Sequence, residues 1–271
     1  MKPTELLHHY FTSFYIQGGR YLIAAGIGYL VFYILRKKAF SSRKIQKSFP
    51  TAKNISTELV YSFITVLIFA LVGVLLFIAS KHGYTLIYKD ISKYGYIYLV
   101  FSFFASVIIH DAYFYWMHRA IHHKSIFKYA HKVHHLSKNP TPWAAYSFHP
   151  IEGVAEAGIF PLLVFMMPFH PIVLIAFMVW QISFNVAGHL GYEIYPKRFM
   201  NTRWSYIFNS STHHNMHHSK FKGNYGLYFS WWDRWMGTEF KDYKQTFNKV
   251  VGYNPEETVE PNFSEIEESV A

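Results

Sequence analysis

The sequence predicts an all-α integral membrane protein, with four to five transmembrane helices and a cytosolic helical cap holding a histidine-rich dimetal site. Three observations predict it. Hydrophobic residues make up 51% of the 271 positions and charged residues only 15%, against ~25% charged in ordinary soluble domains. Long uncharged apolar runs recur along the chain. Histidines number 17, more than the 16 acids, and most of them fall in three tight clusters. The same composition excludes a disordered chain. The absence of cysteine excludes disulfides, thiolate zinc sites, cysteine-held iron–sulfur clusters and thiol catalysis.

Residues 21–35 form an uncharged apolar stretch that reaches span length only if the aromatic turn around 14–16 joins it. Residues 59–80 are uncharged over 22 positions, enough to cross the hydrocarbon core. Residues 94–109 are uncharged and run on into 113–116, a third span. Residues 154–167 and 171–187 are two shorter apolar runs, separated by Pro168-Phe169-His170-Pro171 and with Glu156 inside the first. Together they read as a helical hairpin in the membrane. The N-terminus lacks a short apolar region with a small-residue cleavage site, so it reads as a retained anchor. The predicted organisation is an N-terminal transmembrane region over 1–109, a catalytic region over 110–252 that includes the hairpin 154–187, and an acidic flexible tail over 253–271.

Charge sets the sidedness. The net charge is +10, but residues 255–271 hold six Glu and no Lys or Arg, leaving 26 basic residues against ten acids in the rest. A basic body suits an anionic membrane surface or a nucleic acid, and the hydrophobicity selects the membrane. The loop 36–53 has seven Lys/Arg and no acid, so the positive-inside rule makes it cytoplasmic. Alternating spans then put 110–153 and 188–271 on the cytoplasmic side. No histidine entered that assignment, yet it gathers 13 of the 17 at one face. His8, His9, His82 and His170 lie elsewhere.

The clusters are His118-Arg-Ala-Ile-His122-His123, His131-Lys-Val-His134-His135 and His213-His214-Asn-Met-His217-His218. On a helix, the i, i+3 and i+4 imidazoles of an H-x-x-H-H pattern project from one face at metal-ligand separation. His118 and His122 form an i, i+4 pair. His123 and His213 point away from their clusters' faces, and His110 is two turns from His118, a polar helix-end residue or one behind a ligand. Eight imidazoles (His118, His122, His131, His134, His135, His214, His217, His218) exceed one tetrahedral site, so two metals are expected. His189 supplies a ninth ligand where the last span ends, and Glu193 one turn on is a possible ligand or orienting carboxylate. His149 and Glu152 anchor a loop or a hydrogen bond behind a ligand. Neutral imidazole suits iron, zinc, copper and nickel. Without H-E-x-x-H there is no zincin motif. The aromatic runs 113–116 and Trp231-Trp232 belong to an interfacial belt or the core.

These residues resemble the fatty acid hydroxylase/sterol desaturase superfamily of membrane di-iron enzymes. Its three histidine boxes match His118/His122, His131/His134/His135 and His214/His217/His218. The segment Thr141-Pro-Trp-Ala-Ala-Tyr-Ser-Phe-His149-Pro-Ile-Glu152 is similar to a loop of sterol desaturases of the lathosterol-oxidase type. So are His217-His218-Ser-Lys-Phe-Lys-Gly-Asn-Tyr-Gly226 and Trp232-Asp233-Arg234-Trp-Met-Gly237-Thr238. The resemblance implies two irons (zinc can replace them in purified protein) and dioxygen as co-substrate. It also implies hydroxylation or desaturation of a lipid C–H bond, whether sterol-like, fatty acyl or sphingoid. Electrons would come from an external donor, a ferredoxin or a cytochrome b type with its reductase. Two other readings differ in class. A zinc-dependent membrane hydrolase needs a general base, with Glu193 or Glu152 available. A metal transporter needs ligands along the spans, where His110 and Glu156 are the polar candidates beyond His170 of the hairpin turn.

Overall fold

The structure, a computed structural model, describes residues 2–254. The acidic tail therefore lies almost wholly outside the described residues. Within them the chain is helical, with isolated bridges but no strand.

Helix α1 runs over Pro3–Tyr29 and continues as a π-helical turn, Leu30–Leu35. Proline at its first turn lacks an N–H that would be unpaired there anyway. The run is longer than the uncharged stretch of the sequence because Arg20 finds partners inside the protein. Its Nη1 donates to the Met178 carbonyl at 2.8 Å. Helix α2, Ala52–Lys81, is capped by the Thr51 hydroxyl, which accepts from the Asn54 N–H. Helix α3, Gly95–Ile121, carries straight through His110 and Asp111. His110 thus sits well inside the helix, fully buried against Tyr228 and Phe177, and not at a helix end. Asp111 is tolerated there because the Tyr228 and Phe229 N–H groups and the Trp231 indole donate to it.

The expected hairpin is only half a span. Its first limb is two short helices, α5 (Pro150–Ala157) and α6 (Ile159–Met166), joined at Gly158. The Tyr113 hydroxyl donates to the Ala155 carbonyl at 2.6 Å, and a Cβ on Gly158 would stand 2.5 Å from that hydroxyl. Each piece is eight residues, roughly 12 Å, too short to cross a bilayer. The second limb, α7 (Pro171–Gly188), is continuous. Four helical stretches are long and apolar enough to cross a membrane: Pro3–Leu35, Ala52–Lys81, Gly95–Ile121 and Pro171–Gly188. They leave large apolar side chains bare on their outer faces, such as Ile23, Leu75, Ile97 and Ile175. A soluble fold buries or breaks up such a band; a bilayer covers it. The chain is an integral membrane protein.

Short elements gather at one end of the bundle: α4 (Lys124–Ala130), α8 (Ser211–Lys220), α9 (Trp231–Trp235), α10 (Tyr243–Val251) and several 3-10 turns. The basic loop packs on this cap. The Ile45 N–H donates to the Gly191 carbonyl, the Glu193 N–H to the Arg43 carbonyl, and the Arg43 guanidinium to the Tyr195 carbonyl at 2.6 Å. Basic loop and cap therefore share one membrane face.

Candidate metal centre

All nine histidines singled out in the sequence converge, in two groups. His118, His122, His131, His135 and His217 form the first, and His134, His189, His214 and His218 the second. Within each group the ligand atoms lie within 4.8 Å of one another.

The elements that place them differ. His118 is on α3, and His122 lies just past its end. His214, His217 and His218 lie on α8, whose first turn is capped by the Ser210 hydroxyl accepting from the His213 N–H. His189 caps the C-terminus of α7. The second cluster departs from expectation. His131 ends α4, and His134 and His135 lie on a separate 3-10 turn. Each H-x-x-H-H pattern is divided between the two groups. In both copies the i and i+4 imidazoles share a group and the i+3 imidazole enters the other: His131 and His135 against His134, His214 and His218 against His217. The two groups are thereby stitched by the same two segments.

Hydrogen bonds fix which nitrogen faces inward. The Nδ1 of His118 lies 2.8 Å from the Tyr225 carbonyl oxygen, that of His217 2.8 Å from Gly223 O, that of His134 3.2 Å from Ser147 O, and that of His189 2.7 Å from Asn185 O. A carbonyl only accepts, so each Nδ1 carries the proton and each Nε2 presents a lone pair. Two of these lone pairs face each other directly. His134 Nε2 and His189 Nε2 are 3.2 Å apart, both unprotonated. The other inward contacts are 3.0–3.2 Å. Such an arrangement repels itself unless a cation sits between. At a metal–nitrogen distance of about 2.1 Å, ligands at right angles stand about 3.0 Å apart and tetrahedral ligands about 3.4 Å apart. The observed contacts fall within this range.

Electrostatics agree. Burial pushes the His135 imidazole down to about 3 and His189 to about 4. It also holds His134, His214, His217 and His218 well below the ordinary value, with neighbouring imidazoles adding to the effect. The rings stay neutral, the form that ligates. His131 Nδ1 stands 2.7 Å from Glu152 Oε1, both fully buried. Burial drives the carboxyl up and the imidazole down, and the pair holds one proton between them.

The remaining candidates fall outside both groups. Glu193 stands in neither group: one of its oxygens accepts from the Thr212 N–H and hydroxyl and the other from the Tyr195 N–H, so it anchors the start of α8. Glu152, the other expected general base of the hydrolase reading, is turned through Oε1 to His131. His110 bonds the Tyr228 hydroxyl, and Glu156 lies in neither group. His213 turns to Asp233 at 3.5 Å. His123 is exposed and accepts from the Ser125 N–H, and His149 accepts from the Ile151 N–H.

Sequence reasoning missed Asp233 as a support. One of its oxygens accepts from the Tyr225 N–H and the Thr238 hydroxyl, the other from the Gly226 N–H. It thereby holds the 223–226 turn whose carbonyls take the protons of His118 and His217. A Cβ on Gly226 would stand 2.6 Å from the Phe229 carbonyl oxygen, which accounts for the glycine. The signal was Asp233 within a Trp-Asp-Arg-Trp run, an acid amid aromatics.

Comparisons with known proteins bear on this geometry. Residues 103–238 match the model of the fatty acid hydroxylase family. The chain is 32% identical over 238 residues to a Delta(7)-sterol 5(6)-desaturase of Gibberella zeae, covering 83% of this chain and 69% of that protein. It is 33% identical over 189 residues to the lathosterol oxidase of Rattus norvegicus, covering 69% of this chain and 61% of that one. A Delta(7)-sterol 5(6)-desaturase of Leptosphaeria maculans is 32% identical over 234 residues, 85% of this chain and 61% of the relative. The chain thus spans about two thirds of the length of these relatives. No solved structure matches. A family model over half the chain, and a relative matched over most of both lengths, are enough: the chain belongs to the fatty acid hydroxylase family.

Proposed function

We propose that this protein is a membrane-bound non-haem di-iron oxidoreductase that uses dioxygen to hydroxylate or desaturate a lipid C–H bond, with a sterol as the substrate class. The observation that carries the metal is the pair of converging Nε2 sets, with tautomers fixed outward by backbone carbonyls. Five imidazoles in the first group exceed the four ligands of a closed zinc site. His118, His122, His131, His135 and His217 would hold one iron; His134, His189, His214 and His218 would hold the other. Iron supplies dioxygen activation and hydrogen abstraction when bound. The chain's own residues orient and exclude. Glu152 aligns His131. The Tyr225 and Gly223 carbonyls align His118 and His217. The buried cap keeps water away from both groups. Family membership and the named activities of the relatives support the lipid and the sterol.

Three further points belong to the proposal. Residues 110–252 form the catalytic region and 1–109 the membrane stem with the loop 36–53. The cap faces the cytoplasm, because its partner loop holds seven of the basic residues. An external electron donor, a ferredoxin or a cytochrome b type with its reductase, supplies the electrons. Iron-reconstituted protein should consume dioxygen only with reductant and sterol together. Turnover of an ester or amide without dioxygen would replace this reading with a hydrolase.

A further inference from the structure

The two aromatic runs of the sequence meet beside the five-histidine group. Among the described residues, the rings other than imidazoles that touch the nine ligands are Phe114, Phe127, Phe148, Phe221 and Tyr225. Only the last can be oxidised readily, because a phenol gives up an electron far more easily than a phenyl ring. The Tyr225 ring centre lies 5.1 Å from that of His122 and 5.7 Å from those of His118 and His217.

Tyr225 begins a chain of oxidisable rings. Tyr115 follows at 6.3 Å, and Trp232 is stacked on Tyr115 at 5.7 Å with the planes 18° apart. Trp235 lies 5.5 Å from Trp232, and Trp116 lies 5.9 Å from Trp232 and 5.3 Å from Tyr115. Each step is an ordinary ring contact, ~4.5–7 Å between centres. Tyr115 is fully buried, whereas Trp235 is 66% exposed and Trp116 47%. The chain therefore joins the metal centre to the surface. The buried phenol also has an outlet for its proton. The Thr238 hydroxyl donates its one proton to Asp233 Oδ1 at 2.7 Å, so it accepts from the Tyr115 hydroxyl at 2.9 Å.

We propose that these rings form an electron relay that protects the metal centre when dioxygen reacts there without a lipid. The proposal rests on the di-iron reading above. Reduction of dioxygen to two waters takes four electrons and four protons. Two electrons come from ferrous iron, and in hydroxylation or desaturation the other two come from the lipid. Without lipid, the missing two pass singly from Trp235 or Trp116 through the inner rings to Tyr225 and the centre. Each inner ring regains its electron, and each phenol its proton, from the next step outward. The exposed indole loses its N–H proton to water and is restored by a one-electron reductant, the class of donor that the reaction already requires. Without the relay, Tyr225 and the ligating imidazoles are the groups left to be oxidised.

The test uses iron-reconstituted protein in mild detergent, reduced, freed of reductant and lipid, and exposed once to dioxygen. Dioxygen uptake is recorded and oxidised residues are mapped by peptide mass spectrometry. Trp235 and Trp116 should carry oxygen in excess of Trp204, which is 52% exposed but touches no ring of the chain. Tyr115→Phe keeps the buried ring and breaks the relay; it should abolish the excess and move the product to Tyr225. Trp232→Phe should leave Trp116 as the sole exit. Equal oxidation of Trp204 in the intact protein, a comparison that needs no variant, overturns the relay. So does an excess that survives Tyr115→Phe or that appears in zinc-loaded protein. Dioxygen uptake without the excess overturns the relay and leaves the di-iron reading standing, whereas no uptake at all overturns both.

Discussion

Replacing Glu152 with Gln or Ala should loosen one iron and spare the other. Glu152 Oε1 lies 2.7 Å from His131 Nδ1, and both side chains are fully buried. His131 belongs to the five-histidine group, and no histidine of the other group bonds Glu152. Glutamine keeps an acceptor of the same shape but cannot take a charge. A hydrogen bond to a charged partner is worth about 1.5–3 kcal/mol and a neutral one about 0.5–1.5, so Glu152→Gln should weaken the first iron by about 1–1.5 kcal/mol. That is about five- to twelve-fold. Alanine removes the partner altogether, and loss of the residue behind a ligating histidine costs about 10–100-fold in affinity. The assay is iron release to a chromogenic chelator in detergent, followed as two phases. One phase should accelerate by these factors, more in Ala than in Gln, while the other is unchanged. Parallel acceleration of both phases, or of neither, would refute the division into two groups.

Three other outcomes follow from the geometry. His214→Ala and His217→Ala, each removing one ligand of a different group, should each lower bound iron toward one per chain and abolish turnover, whereas exposed His123→Ala should keep both, as elemental analysis would show. Acidification should destabilise the metal-free protein. His135 and His213 are pushed down to about 3 against ~6.5 unfolded, so the unfolded chain binds more protons at low pH. Their stabilising effect is full above pH ~6.5 and falls by up to ~1.4 kcal/mol per unit for each as pH drops toward their folded values; a melting temperature that rises between pH 7.5 and 5.5 would contradict this. Gly191→Ala should cost about 1–3 kcal/mol in thermal stability, because Gly191 has φ +74° and a Cβ there would stand 2.5 Å from the Tyr33 hydroxyl.

The helical membrane class and the nine histidines were legible because each rests on local evidence, an apolar run or a spacing. What was not legible depends on distant partners. The sequence shows Asp111 as the end of an uncharged run. It does not show the two N–H groups and the indole that satisfy it from residues more than a hundred positions away. For the same reason α3 continues past His110, and α1 past Arg20. Helical periodicity places His131, His134 and His135 on an arc, but which metal each serves depends on the rings facing it from α3, α7 and α8. Hence the three imidazoles of one cluster divide between two groups. Glu193 sits one turn from His189, where a ligand is plausible by spacing; Thr212, reached only through the fold, takes its carboxylate instead.

The central claim is that two irons lie in one cap. The most direct measurement is iron per chain in protein purified in mild detergent from iron-replete cells, with zinc measured alongside. The account predicts two metal ions per chain, with two irons after anaerobic reconstitution of any zinc-loaded material. Protein that folds and holds no metal, or that saturates at a single ion, would contradict it.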